Sequence, residues 1–336
     1  MSHNAETPVS AIVSLLPKRR LPWWRRALRA TGIVAGVVVG LLAVSAVANA
    51  VITTAEKASI TPYGQKVSIP AGDVNVYRNG GTGPTMVMLS GYGTAAPAID
   101  FAPLIRELPN FNVIVIEGFG YGYSDQDVRN RTVENITAEI HEVLARLGVH
   151  SPIILVGHSI GGIYTHYYAN AYPGEVSALI GIDPTPAMTS STKAGEPSAV
   201  AGSLTQLGLT RVANAVAPVL VQPDGTAFTK DDRARLVAMA DWNFGNASVS
   251  DEWAQLAANS TKTAATPLPA SVPVLDFLAT ESLAGIPGWM HNHENELAGV
   301  TTHQIQVVRG AHYLHWTQAP LMARAISSFI GEHASQ

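Results

Sequence analysis

A serine flanked two residues away on each side by glycine stands at Gly157-His158-Ser159-Ile160-Gly161. An apolar run, Ile153 to Val156, precedes it, and Ile163 to Tyr172 reads as a helix after it. Strand, tight turn and helix in that order make a nucleophile elbow, with Ser159 as its nucleophile. Side chains at Gly157 and Gly161 would collide with the neighbouring strand and helix, and the turn strains the serine backbone. A serine hydroxyl becomes a useful nucleophile only when a base takes its proton. His312, in Arg309-Gly310-Ala311-His312, is the candidate base because it falls between the last predicted strand and the last helix. The base needs a carboxylate to hold its tautomer and stabilise the imidazolium. Two carboxylates compete: Asp183, at the exit of the strand after the elbow, and Glu281, just after the strand Pro273 to Ala279. Both give the chain order serine, acid, histidine, and both stay open at this point. Asp276 lies mid-strand and reads as structural.

Acyl transfer also needs donors for an oxyanion. The amide of Ile160 is one candidate, aided by the dipole of the helix it opens. The other should come from the loop after the strand Thr85 to Leu89, at Tyr92 or its neighbour Gly91, where glycine lets the backbone approach a substrate closely. The remaining histidines are weaker candidates. His158 is held by the elbow and is expected to face away from the chemistry, and His141, His150 and His166 fall on helices or their ends. His291 and His293 have a spacing that could suit a metal but lack an evident third ligand. No cofactor or metal site is predicted.

The elements that must position these groups alternate. Val67 to Ile69, Val74 to Tyr77, Thr85 to Leu89, Asn112 to Glu117, Ile153 to Val156, Val176 to Ile182, Pro273 to Ala279 and Thr302 to Val308 read as strands. Phe101 to Leu108, Thr132 to Leu147 and Pro320 to Ile330 read as helices; Ile136, Ile140, Val143, Leu144 and Leu147 keep helical spacing. This pattern predicts an α/β fold with a mostly parallel eight-stranded sheet and helices on both faces. Residues 187–270 break the alternation with short helical stretches such as Asp231 to Trp242 and Ser250 to Asn259. They are expected to form a helical cap over the catalytic edge, the core being residues 56–186 and 271–336.

The chain has 336 residues, 47% hydrophobic and 14% charged, enough for a large core. Residues 1–50 hold six of the 21 basic residues and one of the 25 acidic ones, so the remainder carries 15 basic and 24 acidic side chains. An acidic body argues against a nucleic-acid partner. With no cysteine, thiol nucleophiles, disulfides and thiolate metal sites are excluded. Lys18, Arg19, Arg20, Arg25, Arg26 and Arg29 form a basic cluster, and Ala30 to Ala55 then runs without a charge. Residues 1–29 are therefore expected to be a basic cytoplasmic tail and 30–55 a transmembrane anchor, with Trp23-Trp24 at the interface and the body outside the cytoplasm. Ala48-Asn49-Ala50 resembles a small-residue cleavage site, so a removable signal peptide and a secreted body stay open as the alternative.

With these motifs in place, residues 65–332 resemble the α/β-hydrolase superfamily. The resemblance rests on Ser90-Gly91-Tyr92-Gly93, on Glu117 to Ser124, on Gly157 to Gly161 and on Gly310-Ala311-His312. It is closest to a bacterial subgroup with an amino-terminal anchor and a helical cap. Ser90 departs from the family's oxyanion-loop histidine, and the strand-7 loop lacks the usual Gly-x-x-Asp. Members that cleave epoxides or carbon–halogen bonds use an aspartate nucleophile, so the serine here implies acyl transfer. The expectation is a serine hydrolase cleaving an uncharged or lipid-like carboxylic ester through an acyl-enzyme. Two alternatives stay open: a peptidase or amidase, for which Asp231-Asp232 or Asp251-Glu252 could hold a substrate amine, and a non-catalytic membrane-tethered binding protein.

Overall fold

The computed structural model describes residues 22–150, 152–189, 196, 199–217 and 227–333. Of the basic cluster, Lys18, Arg19 and Arg20 lie outside these residues. The chain forms two units, Met1–Val44 and Ser45–Gln336. In the first, the described residues after Pro22 belong to helix α1 (Trp23–Ser59), whose side chains are unburied over Trp23 to Val44. α1 is long and apolar enough to cross a membrane, and a signal sequence would satisfy the same criterion. It does not stop at Ala55 but carries Glu56 and Lys57 in its last turns.

In the second unit, the sheet opens with an antiparallel pair, β1 (Gln65–Ile69) and β2 (Gly72–Arg78). β3 (Thr85–Leu89) follows, buried along most of its length. The expected helix over Phe101 to Leu108 is shorter, α3 (Ala102–Arg106), and a separate short helix, α2 (Pro97–Asp100), precedes it. Each carries a proline in its first turn, where the missing amide costs nothing, and Pro103 just after α2 favours restarting over continuing. β4 (Asn112–Glu117) leads to α4 (Val133–Arg146), whose first turn is capped by the Thr132 hydroxyl accepting from the Asn135 amide. Then come β5 (Ile153–His158), α5 (Gly161–Ala171) and β6 (Val176–Ile182).

An insertion follows: α6 (Val200–Gln206), α7 (Leu209–Val216), α8 (Lys230–Asn243) and α9 (Ala247–Ala264). α6 and α7 went unread in the sequence because α6 is built mostly of small residues and α7, although amphipathic, is only eight residues long. β7 (Val274–Ala279), α10 (Thr280–Gly285), α11 (Trp289–Leu297), β8 (His303–Val308), α12 (Leu314–Thr317) and α13 (Ala319–His333) complete the chain.

The eight strands stand in the order β1-β2-β4-β3-β5-β6-β7-β8, parallel from β4 onward. β5 and β7 are buried at every position, as strands covered on both faces must be. Alternate residues feed two cores. Val87, Leu155 and Leu179 pack with Ile140 and Val143 of α4 and Ile163 of α5. Met86, Met88, Ile154, Val156 and Ile180 pack with Leu104 of α3 and Met322 and Ile326 of α13. Parallel strands end at a common edge, and the turns after β3, β5, β6 and β8 gather there.

Candidate active site

The turn from β5 into α5 holds Ser159 at φ 53°, a left-handed conformation that a side-chain-bearing residue adopts only under constraint. The constraint is visible. The Ser159 amide donates to the Ile182 carbonyl at 3.2 Å, and its own carbonyl accepts from Gly162 at 2.9 Å and Thr185 at 2.8 Å. A Cβ at Gly157 would sit 2.6 Å from the Gly161 carbonyl carbon, and one at Gly91 would sit 2.9 Å from the Ser159 Cβ. Glycine is therefore the residue that lets the β3 loop and the α5 start close on Ser159, which stays half-buried.

Asp183 follows β6 directly, also left-handed at φ 43°, and is fully buried. Its Oδ2 accepts from His312 Nδ1 at 2.6 Å and from the Ser282 hydroxyl; its Oδ1 accepts from the Ala279 amide at 2.9 Å and from Trp289 Nε1 at 3.2 Å. Burial works to raise this carboxyl's pKa, but the donors, His312 and Ser282 foremost, outweigh it and hold Asp183 below the usual aspartate range. Glu281 stands exposed in the first turn of α10, its backbone amide donating to the Gly310 carbonyl at 3.2 Å. The structure thus brings Asp183, and not Glu281, to the His312 ring. Sequence reading missed Ser282 and Trp289 as partners of this carboxylate. Their shared signal is position, since both follow β7 at the same edge.

On the other side of the turn, Tyr92 is half-buried in the loop after β3, its ring 4.9 Å from that of Trp253 on α9. Among the described residues neither the Tyr92 amide nor the Ile160 amide donates to another protein group. The next amide, Gly93, donates to the Tyr121 hydroxyl at 3.2 Å. Tyr121 in turn donates to Glu252, which also accepts from the Tyr164 hydroxyl at 2.6 Å. Burial raises the Glu252 pKa, offset only in part by the two phenols and by Arg131. Asp251 and Glu252 were expected at a helix start. They lie instead in the second turn of α9, both buried, with Asp251 accepting from the Arg131 amide at 2.6 Å. Asp232 caps its own helix, exchanging hydrogen bonds with Thr229. Glu117 is another buried carboxylate, accepting from Tyr63, Asn75 and the Tyr123 amide at 2.6, 2.8 and 3.0 Å. Asp276 is buried in β7, and burial pushes it up to about 7.

His158 is buried, but it is not remote from the chemistry. Its Nε2 donates to the His312 carbonyl at 3.3 Å, and the two rings stand 4.8 Å apart. Burial, then the neighbouring His315 and His312, push its pKa well down, so it stays neutral. Behind it, His315 Nε2 donates to Asp100 Oδ2 at 2.7 Å. Among the described residues, Asp100, His158 and His315 form the one group of three whose ligand-type atoms lie within 4.8 Å of one another. His293 is buried, with its ring nitrogens against the Trp289 and Pro184 carbonyls, so it does not pair with His291 at a metal. A cavity of about 580 Å³ lies between the β3 loop and the insertion, walled by Tyr92, Gly93 and Tyr121 on one side and Leu204, Leu209 and Ala213 on the other. Ser159 is not among its walls; Gly91, beside Ser159, joins the two through the loop.

A sequence model of the family described as the alpha/beta hydrolase fold matches residues 84–292. The chain is 28% identical over 276 residues to the uncharacterised protein YbdG of Bacillus subtilis, covering 78% of this chain and 84% of that one. It is 27% identical over 122 residues to Lipase 1 of Psychrobacter immobilis, covering 35% of this chain and 38% of that one. Among solved structures, potato epoxide hydrolase I superposes with a TM-score of 0.65 at 13% identity, over 80% of this chain and 98% of that one, a likeness of fold.

Proposed function

The chain belongs to the α/β-hydrolase fold family, and we propose that it is a serine hydrolase that cleaves carboxylic esters through an acyl-enzyme. The observation that carries this is the buried Asp183 carboxylate bonded to His312 Nδ1 at 2.6 Å, on the same strand edge as the strained Ser159 turn. In this reading Asp183 keeps the His312 proton on Nδ1, leaving Nε2 to take the Ser159 proton as the hydroxyl attacks the ester carbonyl. The amides of Ile160 and Tyr92 receive the oxyanion. His312 then returns the proton to the departing alcohol. Water, activated by the same imidazole, releases the acid and restores the serine. Removing the acid function alone costs about 10⁴-fold in kcat in the well-studied triads.

The peptidase reading wants a free acidic pair for a substrate amine. Asp251 and Glu252 are buried against Arg131, Tyr121 and Tyr164, and Asp232 is spent on a helix cap. The ester reading suits the cavity better, since its insertion side is mostly apolar, with Leu204, Leu209, Ala213, Phe244 and Trp253, and the one carboxylate there among the described residues, Glu196, is not a pair. The helical insertion serves as a cap over that cavity, and α1 holds the enzyme in the membrane with the body outside the cytoplasm. The test is labelling of the full chain in detergent with a fluorophosphonate probe, alongside a panel of p-nitrophenyl esters. Labelling and turnover should both vanish in Ser159→Ala; a wild type that neither labels nor turns over any ester, or a Ser159→Ala variant that still does both, would overturn the proposal.

A further inference from the structure

The last turns of α1 are not a free tether. Ser45, Asn49, Thr53 and Glu56 recur at intervals of four, four and three, which places them on one helix face. That face is bound to the insertion. Ser45 Oγ donates to the Leu207 carbonyl at 2.7 Å and Asn49 Nδ2 to the Thr205 carbonyl at 3.0 Å. The Arg211 guanidinium donates to Asn49, to Thr53 and to both oxygens of Glu56, at 3.1, 3.2, 2.7 and 2.9 Å, and also pairs with Asp241 at 3.1 Å. Trp242 Nε1 donates to Glu56 at 2.9 Å. The α6–α7 turn is therefore fastened to residues 45–56.

Those residues have a depth. About 20 residues at 1.5 Å each cross the hydrocarbon of a bilayer, so a span that starts at Ala30 reaches the outer interface near residue 50. The α6–α7 turn is thus held at the level where the helix leaves the lipid. The solvent side of α7 is apolar, and α6 adds Leu204 there beside exposed Ser203 and Gln206. Leu204 is 39% exposed, Val212 55% and Val216 80%. Val212 and Val216, four apart on α7, share a face, while Arg211 turns the other way into α1. Leu204 also lines the cavity, together with Leu209 and Ala213, and the far wall of that cavity is Tyr92-Gly93.

We propose that the exposed face of α6 and α7 docks into the outer leaflet of the membrane that α1 spans, and that a membrane-resident acyl ester passes from the leaflet, beside Leu204, into the cavity above Tyr92. This rests on the reading of the chain as a membrane-anchored serine hydrolase and names its substrate class as a lipid taken from the bilayer. An amphipathic helix of this kind lies in the interface plane, with its apolar face among the acyl chains.

The chain has no cysteine, so single cysteines report cleanly. Val212→Cys, Val216→Cys and, on an exposed face of α13, Ser328→Cys would carry an environment-sensitive fluorophore on the full chain in phosphatidylcholine nanodiscs. The probes at 212 and 216 should emit to the blue of the probe at 328 and be quenched more strongly by a lipid with a nitroxide near its headgroup. Equal emission and equal quenching at all three positions would overturn the docking. A chain that does not enter nanodiscs at all would overturn the anchor and the docking together. A chain that enters, docks and fails to label with fluorophosphonate would leave docking intact and sink the hydrolase reading and the proposed lipid uptake. In a second arm, Val212→Asp with Val216→Asp should raise KM for a vesicle-resident long-chain ester about tenfold, with hydrolysis of soluble p-nitrophenyl acetate unchanged. Unchanged KM for the vesicle ester, or equal loss on both substrates, would overturn the uptake route.

Discussion

Two buried carboxylates flank the Ser159 turn, Asp183 beneath His312 and Glu252 beneath the Tyr92 loop, and their environments drive them in opposite directions. Both have lost water. Asp183 recovers four donors, an imidazole and three groups of the β7–α11 segment, and its pKa falls. Glu252 recovers two phenols, and its pKa rises. A carboxylate that stays charged can hold an imidazolium; one drawn toward neutrality serves as a rigid acceptor that anchors Tyr121, and through it the Gly93 amide. Charge at one site and rigidity at the other follow from donor count, not from residue type.

The largest expected effect breaks the Asp183 side. Asp183→Asn should lower kcat by about 10⁴-fold, because the wrong His312 tautomer is then favoured, while Glu281→Gln should leave kcat within a few-fold of wild type. Comparable losses in both would dissolve the distinction between the two acids. Next, Tyr121→Phe removes the donor to Glu252 and the acceptor for Gly93. It should cost about 1–3 kcal/mol of stability, read as a shift in the urea midpoint, because Glu252 keeps one unmet need. A variant as stable as wild type would mean that Glu252 is already satisfied by Tyr164 and Arg131.

The smallest effects are in pH and carry opposite signs. Asp183 is depressed in the folded state, so its contribution to stability is present above the ordinary aspartate value of about 3.9 and is lost as pH falls through the folded value. The stability gap between wild type and Asp183→Asn should therefore be flat at neutral pH and shrink in acid. Glu252 is raised, so folding binds its proton more tightly, and ionising it costs stability as pH climbs past about 4.3. Glu252→Gln should gain on wild type as pH rises from there to neutrality. Chemical denaturation of the three proteins across pH 3 to 8 checks both slopes. Slopes of the same sign would contradict the comparison.

The strand-and-helix frame was legible because β5 and β6 are near-continuous apolar runs and α4 and α13 keep helical spacing, and parallel topology follows from their alternation. The elbow was legible for a local reason, since a turn that crowds Gly157 against Gly161 leaves its mark in five consecutive residues. The partners of Asp183 were not. Ser282 and Trp289 reach it across loops from α10 and α11, and no pattern within ten residues of Asp183 announces them. Glu252 was misplaced for the opposite reason. Asp251-Glu252 imitates the acidic first turn of a helix, and only the packing of α9 against Tyr121 and Tyr164 turns it inward. α6 escaped notice because its small residues give no strong pattern, and α7 because an amphipathic run of eight residues is too short to stand out.

The central claim is that Ser159 forms a covalent acyl intermediate. Rapid mixing of the full chain with p-nitrophenyl acetate, followed by acid quench and peptide mapping, tests it most directly. The account predicts a burst of p-nitrophenol equal to the enzyme concentration, with the acetyl group on the peptide containing Ser159 and neither signal in Ser159→Ala. Steady turnover that persists in Ser159→Ala, or an acetyl group on another residue, would contradict it.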